Sequence, residues 1–207
     1  MLISFKQSIA KHDLRITGVI HVGAHFGQEY HDYKAAGIRQ VLFIEPCEKA
    51  FKVLQETFSS TPGVTLFNSA CGEYFMICDM NVEQANQGMS NSLLKPIKHL
   101  DQYPSIQFTT TEEVEVRPLD EITSHLLTRG NLLVMDVQGF ELEVLKGATQ
   151  TLNQIDYIYT EVNRDEVYEN CARVEQLDEF LTDFSRVETS WAGGSWGDSW
   201  YIRKSLL

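Results

Sequence analysis

The sequence predicts an α/β fold, a mostly parallel central sheet with helices on both faces and an antiparallel hairpin at the C-terminal end. Two observations predict it. Short apolar runs alternate with segments of helical periodicity. Strands alternating with helices in this way predict a mostly parallel sheet covered on both faces. The last two strand-like runs lie close together around a Gly-Gly stretch, which reads as a hairpin.

The elements follow in order. Val19–Val22 is the first strand, and residues 28–36 read as a helix. Val41–Ile44 is the second strand. Phe51, Leu54 and Phe58 follow at offsets of three and seven, which is helical spacing. Val64–Phe67 is the third strand, introduced by the turn signal Pro62-Gly63. Leu132–Met135 is a compact buried strand, and Leu142, Leu145, Thr149 and Leu152 form one face of the next helix. Residues 157–162 make another strand, and Val174, Leu177, Leu181 and Phe184 mark a late helix. Strands at 186–190 and 199–203 close the chain, with residues 191–198 as the hairpin loop. Residues 81–112 break the alternation. They are polar, carry Gly88, Pro96 and Pro104, and are long for a loop. β-like stretches at 74–80 and 114–117 flank them, and the segment reads as an excursion covering the active site of a single domain spanning 1–207.

Bulk properties narrow the function. The chain has 207 residues, 43% hydrophobic and 22% charged, an ordinary globular balance. A net charge of −12 repels phosphate backbones, so nucleic acid is not expected as a partner. Cys47, Cys71, Cys78 and Cys171 form no Cys-x-x-Cys pair and read as reduced thiols of a cytoplasmic protein. No stretch reaches the ~20 apolar residues of a membrane span, and the first ten residues lack a signal-peptide run.

In an open α/β sheet, ligands sit beyond the carboxyl ends of the strands. The first such end is Val22, followed by Gly23-Ala-His-Phe-Gly27. Gly23 suits a tight turn and close backbone approach, and Gly27 suits a helix starting close to a ligand. Ala24 and His25 lie between them. The spacing is Gly-x-x-x-Gly, so the dinucleotide fingerprint Gly-x-Gly-x-x-Gly is not met. Glu45 stands 22 residues after Gly23, at the end of the second strand, where a carboxylate accepts hydrogen bonds from ribose hydroxyls. It can equally be the neighbour of a helix start at Pro46. Asn68-Ser-Ala-Cys-Gly72, with Ser69 and Ala70, forms the next wall of the pocket.

At this point the chain resembles the FkbM-type methyltransferases. The match runs from about Val19 to Lys204, and its strongest element is Leu133-Val-Met-Asp-Val-Gln-Gly-Phe-Glu-Leu-Glu-Val-Leu-Lys-Gly-Ala148. Supporting pieces are Gly23-Ala-His-Phe-Gly27, Glu45-Pro46, Ser90-Asn-Ser-Leu93, Leu119-Asp-Glu-Ile122, Thr160-Glu-Val162 and the tail Gly197-Asp-Ser-Trp-Tyr-Ile-Arg-Lys204. The resemblance implies a Rossmann-like methyltransferase fold, S-adenosylmethionine as cofactor, and O-methylation of a sugar, glycan or secondary metabolite. It places His21, Gly23, Ala24, His25, Gly27, Glu45, Pro46, Ser69, Ala70 and Asp136 at the cofactor. Three positions depart from the common pattern: His21 stands where Asp is usual, His25 where Asn is usual, and Gln138 where Glu is usual. Gln138 keeps hydrogen-bonding capacity and loses a charge.

An alcohol is a poor nucleophile until it loses its proton, so a positioned base is expected. Asp136, at the end of a buried strand, is the leading candidate; its alternative role is capping the helix that follows. Glu161, ending the next strand, is the second. Glu141, in a first helical turn, is the third, and there it also complements the helix dipole. His21, His25, Glu29 and His31 crowd together in sequence, but strand, turn and helix positions do not give ligand spacing, so no metal is expected. His25 reads as a cofactor contact and His21 as a structural hydrogen-bonding residue or a neutral base. Trp191, Trp196 and Trp200 read as an aromatic cluster closing the sheet edge, or as a sugar-stacking surface. Ser90, Asn91 and Ser92 can bind an acceptor or be ordinary loop residues. The competing functions are a non-catalytic S-adenosylmethionine-binding module and a nicotinamide-dependent oxidoreductase, the latter opposed by the missing fingerprint. The sequence does not name the acceptor or fix the oligomeric state.

Overall fold

The structure, a computed structural model, describes residues 2–124 and 130–207. The elements are α1 (Phe5–His12), β1 (Val19–Val22), α2 (Tyr30–Ala35), β2 (Val41–Ile44), α3 (Glu48–Phe58), β3 (Val64–Phe67), β4 (Ala70–Cys71), β5 (Met76–Glu83), α4 (Lys98–Gln102), β6 (Phe108–Arg117), α5 (Leu119–Ser124), β7 (Leu132–Met135), α6 (Glu141–Lys146), β8 (Tyr157–Asn163), α7 (Val174–Phe180), β9 (Phe184–Ala192) and β10 (Trp196–Arg203). Seven strands form the main sheet in the order β3-β2-β1-β7-β8-β10-β9. β3, β2, β1, β7 and β8 are parallel, and β10 runs antiparallel to both β8 and β9.

Both faces are covered, which is why β2 and β7 are apolar without alternation and β1 is apolar except for the buried His21. Ile20, Leu42, Leu133 and Ile158 pack with Leu119, Ile122, Val144, Leu145 and Leu177 from α5, α6 and α7. Val19, Val41, Phe43, Val134, Tyr159 and Trp200 pack on the other face with Phe5, Tyr33, Leu54 and Phe58 from α1, α2 and α3.

Several expected boundaries move. The helix expected through Leu152 ends at Lys146. Gly147 follows as its cap, in close approach to the Gly72 carbonyl oxygen where a Cβ would stand at 2.0 Å; Thr151–Gln154 is a separate 3-10 turn. Phe184 opens β9 and is not on the preceding helix. The hairpin loop shrinks from residues 191–198 to the turn at Gly193 and Gly194, whose positive φ angles of 59° and 94° suit a tight reversal between twisted strands. α1 is an addition to the elements expected from the sequence; Ser4 Oγ caps it by accepting from Gln7 N–H.

The irregular segment is smaller and more ordered than residues 81–112. β5 and β6 extend into it and pair antiparallel, making with β4 a second, three-stranded sheet. What remains, residues 84–107, is a cap over the sheet's carboxyl edge. Glu83 holds its first turn by accepting from Asn86 N–H at 2.6 Å and Gly88 N–H at 2.7 Å. Asn81 pairs with Ser92 and Pro96 with Tyr168.

The junction of β1 and β7 positions the carboxyl edge. Gly23 has φ +78°, and a Cβ there would lie 2.0 Å from the Asp136 carbonyl oxygen. Gly37 has φ +81° and open space around it. Gly37→Ala therefore costs only left-handed strain, about 1–2 kcal/mol. Gly23→Ala adds a backbone clash and leaves no cooperative urea transition; equal losses for the two variants would show that the β1–β7 contact is not limiting.

Candidate active site

A cleft opens at the carboxyl ends of β1, β2 and β7, enclosing about 950 Å³ with its open mouth included, the usual scale of a cofactor pocket. His21, Gly23, Ala24, His25, Glu45, Pro46, Ala70 and Asp136 line it, so eight of the ten residues expected at the cofactor come together. Gly27 and Ser69 do not line it. Gly27 makes room for α3 instead, since a Cβ there would meet Phe58 at 2.6 Å. Ser69 turns its hydroxyl to the carbonyls of Ala70 and Glu115. The lining adds residues that sequence reading gave no such place: Gln28, Glu29, Met80, Gly88, Met89, Leu93, Val137 and Phe140.

The β1 turn is a hydrogen-bonded unit. Gly23 N–H and Ala24 N–H both donate to the Ile44 carbonyl. His25 sits in the left-handed region at φ 47°. Its N–H donates to Glu45 Oε2 at 2.8 Å, and Cys47 N–H donates to Glu45 Oε1 at 2.9 Å. Each oxygen retains a further lone pair for a ligand hydroxyl. Burial pushes Glu45 up to about 7. The His25 ring accepts from the Gln28 amide at 2.8 Å through Nδ1, which leaves Nε2 to donate to the Gln87 carbonyl at 3.0 Å. His25 thus ties the turn to the cap. His21 lines the cleft, but burial drives it down to about 3, and Nδ1 pairs with the Tyr33 hydroxyl at 3.1 Å. It is a neutral, positioned imidazole.

Of the three expected carboxylates, Asp136 alone lines the cleft. Gln138 governs it. The Gln138 side-chain N–H₂ donates to Asp136 Oδ1 at 2.7 Å and to Glu161 Oε2 at 3.1 Å. Its Oε1 lies 2.9 Å from the Tyr168 hydroxyl, whose one proton is shared between Gln138 Oε1 and the Ser90 carbonyl. Gln138 itself is held at φ 52°, with Ser92 Oγ donating to its carbonyl. Burial raises Asp136 above the usual carboxylate range. Burial, then Asp136, Glu141 and Asp198, raise Glu161 well above it. Glu141 braces the loop that carries Gln138, its Oε1 accepting from Val137 N–H at 3.3 Å and from Gly139 N–H at 3.2 Å. Sequence reading gave Asp198 no site role, although it lies in the tail that supports the resemblance. It is buried opposite Glu161 and accepts from the Tyr159 hydroxyl and from Leu2 N–H.

The cleft carries Glu29, Glu45 and Asp136 and no lysine or arginine among its described lining residues. That donor set fits S-adenosylmethionine, whose sulfonium and ammonium are cationic and whose ribose donates hydrogen bonds. It does not suit a pyrophosphate, which the nicotinamide reading would need to seat. Met80, Met89, Leu93 and Phe140 supply an apolar wall for a base.

Two outcomes follow from this geometry. Hydroxyls donating to Glu45 hold its ionised form, so cofactor affinity rises as pH rises through about 7, and binding releases a proton below that value. Calorimetry with S-adenosylhomocysteine in buffers of different ionisation heat measures both; an affinity flat with pH removes Glu45 from the ribose. Gln138→Glu sets a third acid between Asp136 and Glu161. It lowers stability by about 2–4 kcal/mol, increasingly as pH rises, whereas Gln138→Met loses the donors without that pH slope in thermal melts.

The model of the methyltransferase FkbM domain matches residues 21–187, from β1 into β9. The chain is 27% identical over 176 residues to the 2-O-methyltransferase NoeI of Sinorhizobium fredii (strain NBRC 101917 / NGR234), covering 82% of this chain and 72% of that protein. Among solved structures, N-methyltransferase NodS from Bradyrhizobium japonicum WM9 is 11% identical with a TM-score of 0.52, covering 96% of this chain and 90% of that one. Magnesium protoporphyrin IX methyltransferase from Synechocystis PCC 6803 with bound SAM is 11% identical with a TM-score of 0.53, covering 96% and 76%. These likenesses show the Rossmann-like fold. No helix among the described residues is long and apolar enough to cross a membrane. Because the family match spans the glycine turn, the Asp136–Gln138 loop and most of the sheet that positions them, this chain belongs to the FkbM methyltransferase family.

Proposed function

We propose that this S-adenosylmethionine-dependent methyltransferase methylates a hydroxyl oxygen of a sugar, glycan or related polyhydroxylated small molecule, with Asp136 as the base. The observation that carries the reading is the clamp on Asp136. Gln138 engages Oδ1 and leaves Oδ2 free at the cleft. A buried carboxylate above its usual range accepts a proton better than an exposed one. The 2-O-methyltransferase name of the relative from Sinorhizobium fredii supports oxygen as the acceptor atom.

When bound, S-adenosylmethionine supplies a methyl group already activated on a positively charged sulfur. The protein's part is alignment and one proton. Glu45 and the Gly23–Ala24 turn hold the nucleoside end. Asp136 takes the hydroxyl proton as the oxygen attacks, and Gln138 keeps that carboxylate aimed. Glu161, raised well above the usual carboxylate range by burial and then by its acidic neighbours, accepts from Gln138 and shapes the acceptor side. The cap excludes water from the reacting atoms. An intact acid clamp favours catalysis over a binding module that has lost turnover.

Asp136→Asn lowers turnover by about 10²–10⁴-fold while S-adenosylhomocysteine still binds and the thermal melt stays cooperative. The parallel experiment is a screen of hydroxylated sugars for released S-adenosylhomocysteine, with mass spectrometry of the product. Retained activity in the variant removes Asp136 as base, and a product methylated on nitrogen or carbon overturns the hydroxyl acceptor.

A further inference from the structure

The second sheet has an open edge. In the order β4-β6-β5, β5 is an outer strand, paired on one side with β6. The N–H and carbonyl of Asn81 point the other way, where they exchange hydrogen bonds with Ser92 at 2.8 and 3.2 Å. Backbone groups of an antiparallel strand alternate in direction, so the N–H and carbonyl of Ile77 and Asp79 point to the same outer edge. Among the described residues nothing pairs with them there.

The same stretch is apolar and bare. Tyr74 is 65% exposed, Phe75 54%, Met76 41% and Ile77 57%, so four consecutive large side chains stand in water. An apolar edge strand is a template for pairing with another chain. Edges are commonly blunted by lysine or proline, and residues 74–80 contain neither. Side chains alternate along the strand. Cys78 and Met80 turn to the core beneath the sheet, and Phe75, Ile77 and Asp79 turn away from it. On that outer face Ile77 stands beside Glu115 and Asp79 beside Glu113, while the Arg117 guanidinium lies over the Phe75 ring at 4.9 Å. The three carboxylates argue against an anionic lipid surface as the occupant.

We propose that this edge pairs with the β5 edge of a second copy of the chain, antiparallel about a two-fold axis at Ile77. The register follows from the free length. Ser92 occupies the edge at Asn81, so the open stretch runs from Tyr74 to Met80 and its midpoint is Ile77. Ile77 then faces Ile77 of the partner subunit, and the two exchange N–H and carbonyl groups. Phe75 faces the partner's Asp79, so the guanidinium lying over Phe75 meets a carboxylate. Each copy supplies both halves of that charge pair, as a two-fold contact requires. An axis at Cys78 would instead set Ile77 against Asp79 and bring the two Asp79 side chains closer together. The paired strand also carries Met80 into the cleft wall and Asn81 to the cap, so dimerisation braces that side of the cleft.

Sedimentation velocity of the full chain over a concentration series, under reducing conditions, tests the pairing. Native protein shows a reversible monomer–dimer equilibrium. Ile77→Lys sets two ammonium groups against each other on the axis and weakens dimerisation at least about tenfold. It leaves the cooperative melt and S-adenosylhomocysteine affinity unchanged, because the side chain lies on the outer face. A disulfide reads the register. Met76→Cys places a thiol opposite the partner's Cys78 in a non-hydrogen-bonded pair, with Cα atoms about 4.5 Å apart and within disulfide reach. Mild oxidation therefore links that variant as a dimer. Native protein does not link, since its Cys78 faces Met76 and Cys47, Cys71 and Cys171 are buried. A native chain that stays monomeric at every concentration overturns the proposal, and so does a dimer that survives Ile77→Lys. Linkage through Cys78 in native protein, or a Met76→Cys variant that fails to link, overturns the axis at Ile77.

Discussion

The contact on which the site depends is the close approach of β1 and β7 at their carboxyl ends. Asp136 N–H donates to the Val22 carbonyl, and the Asp136 carbonyl lies against Gly23 where no side chain fits. Two segments from distant parts of the chain are thereby fixed side by side. One carries the glycine turn and the other carries the Asp136 carboxylate, and both line the cleft. Gly23 is therefore needed for protein packing against Asp136. The same packing sets the distance between cofactor turn and acid.

The second constraint is electrostatic. A chain of net charge −12 gathers Asp136, Glu161 and Asp198 at the end of one buried sheet face. Such a group is unstable as three charges in low dielectric. Two features relieve it. Burial and mutual repulsion keep Glu161 protonated well above the usual carboxylate range, and Gln138 offers one N–H to each of two acids without adding a charge. A glutamine at 138 is therefore more than a tolerated departure from an acid. It supplies the donors that the neighbouring carboxylates require. Glu141 contributes by accepting from the loop N–H groups, so an acid that reads in sequence as a catalytic candidate also braces the loop that carries Gln138.

The cap joins both halves. His25 reaches it from the glycine turn through Gln87, while Ser92 and Ser90 reach from it to the Gln138 carbonyl and the Tyr168 hydroxyl. The cap is thus hydrogen-bonded both to the glycine turn and to the loop whose amide engages Asp136, so a shift of one is transmitted to the other.

The strands and the order of turn, acid and signature loop were legible in sequence because they rest on local rules. Apolar runs, strand-to-helix turns and a glycine that must take positive φ are imposed within a few residues. Eight of the expected cofactor residues reached the cleft for that reason, since residues beyond parallel strand ends share one edge whatever the packing. Gly27 and Ser69 lay in the same segments yet missed it, because α3 and β6 took up the space and hydrogen bonds the sequence left open. The site placement of Asp198 and the amide bridge of Gln138 had no local signal. They depend on β7, β8 and β10 lying side by side, pairings between remote segments. The sequence by itself determined the fold class and which strand ends face the ligand. Only the tertiary structure decided which acids lie together, which amide holds them and which polar groups stay unpaired, because those are properties of contacts across strands.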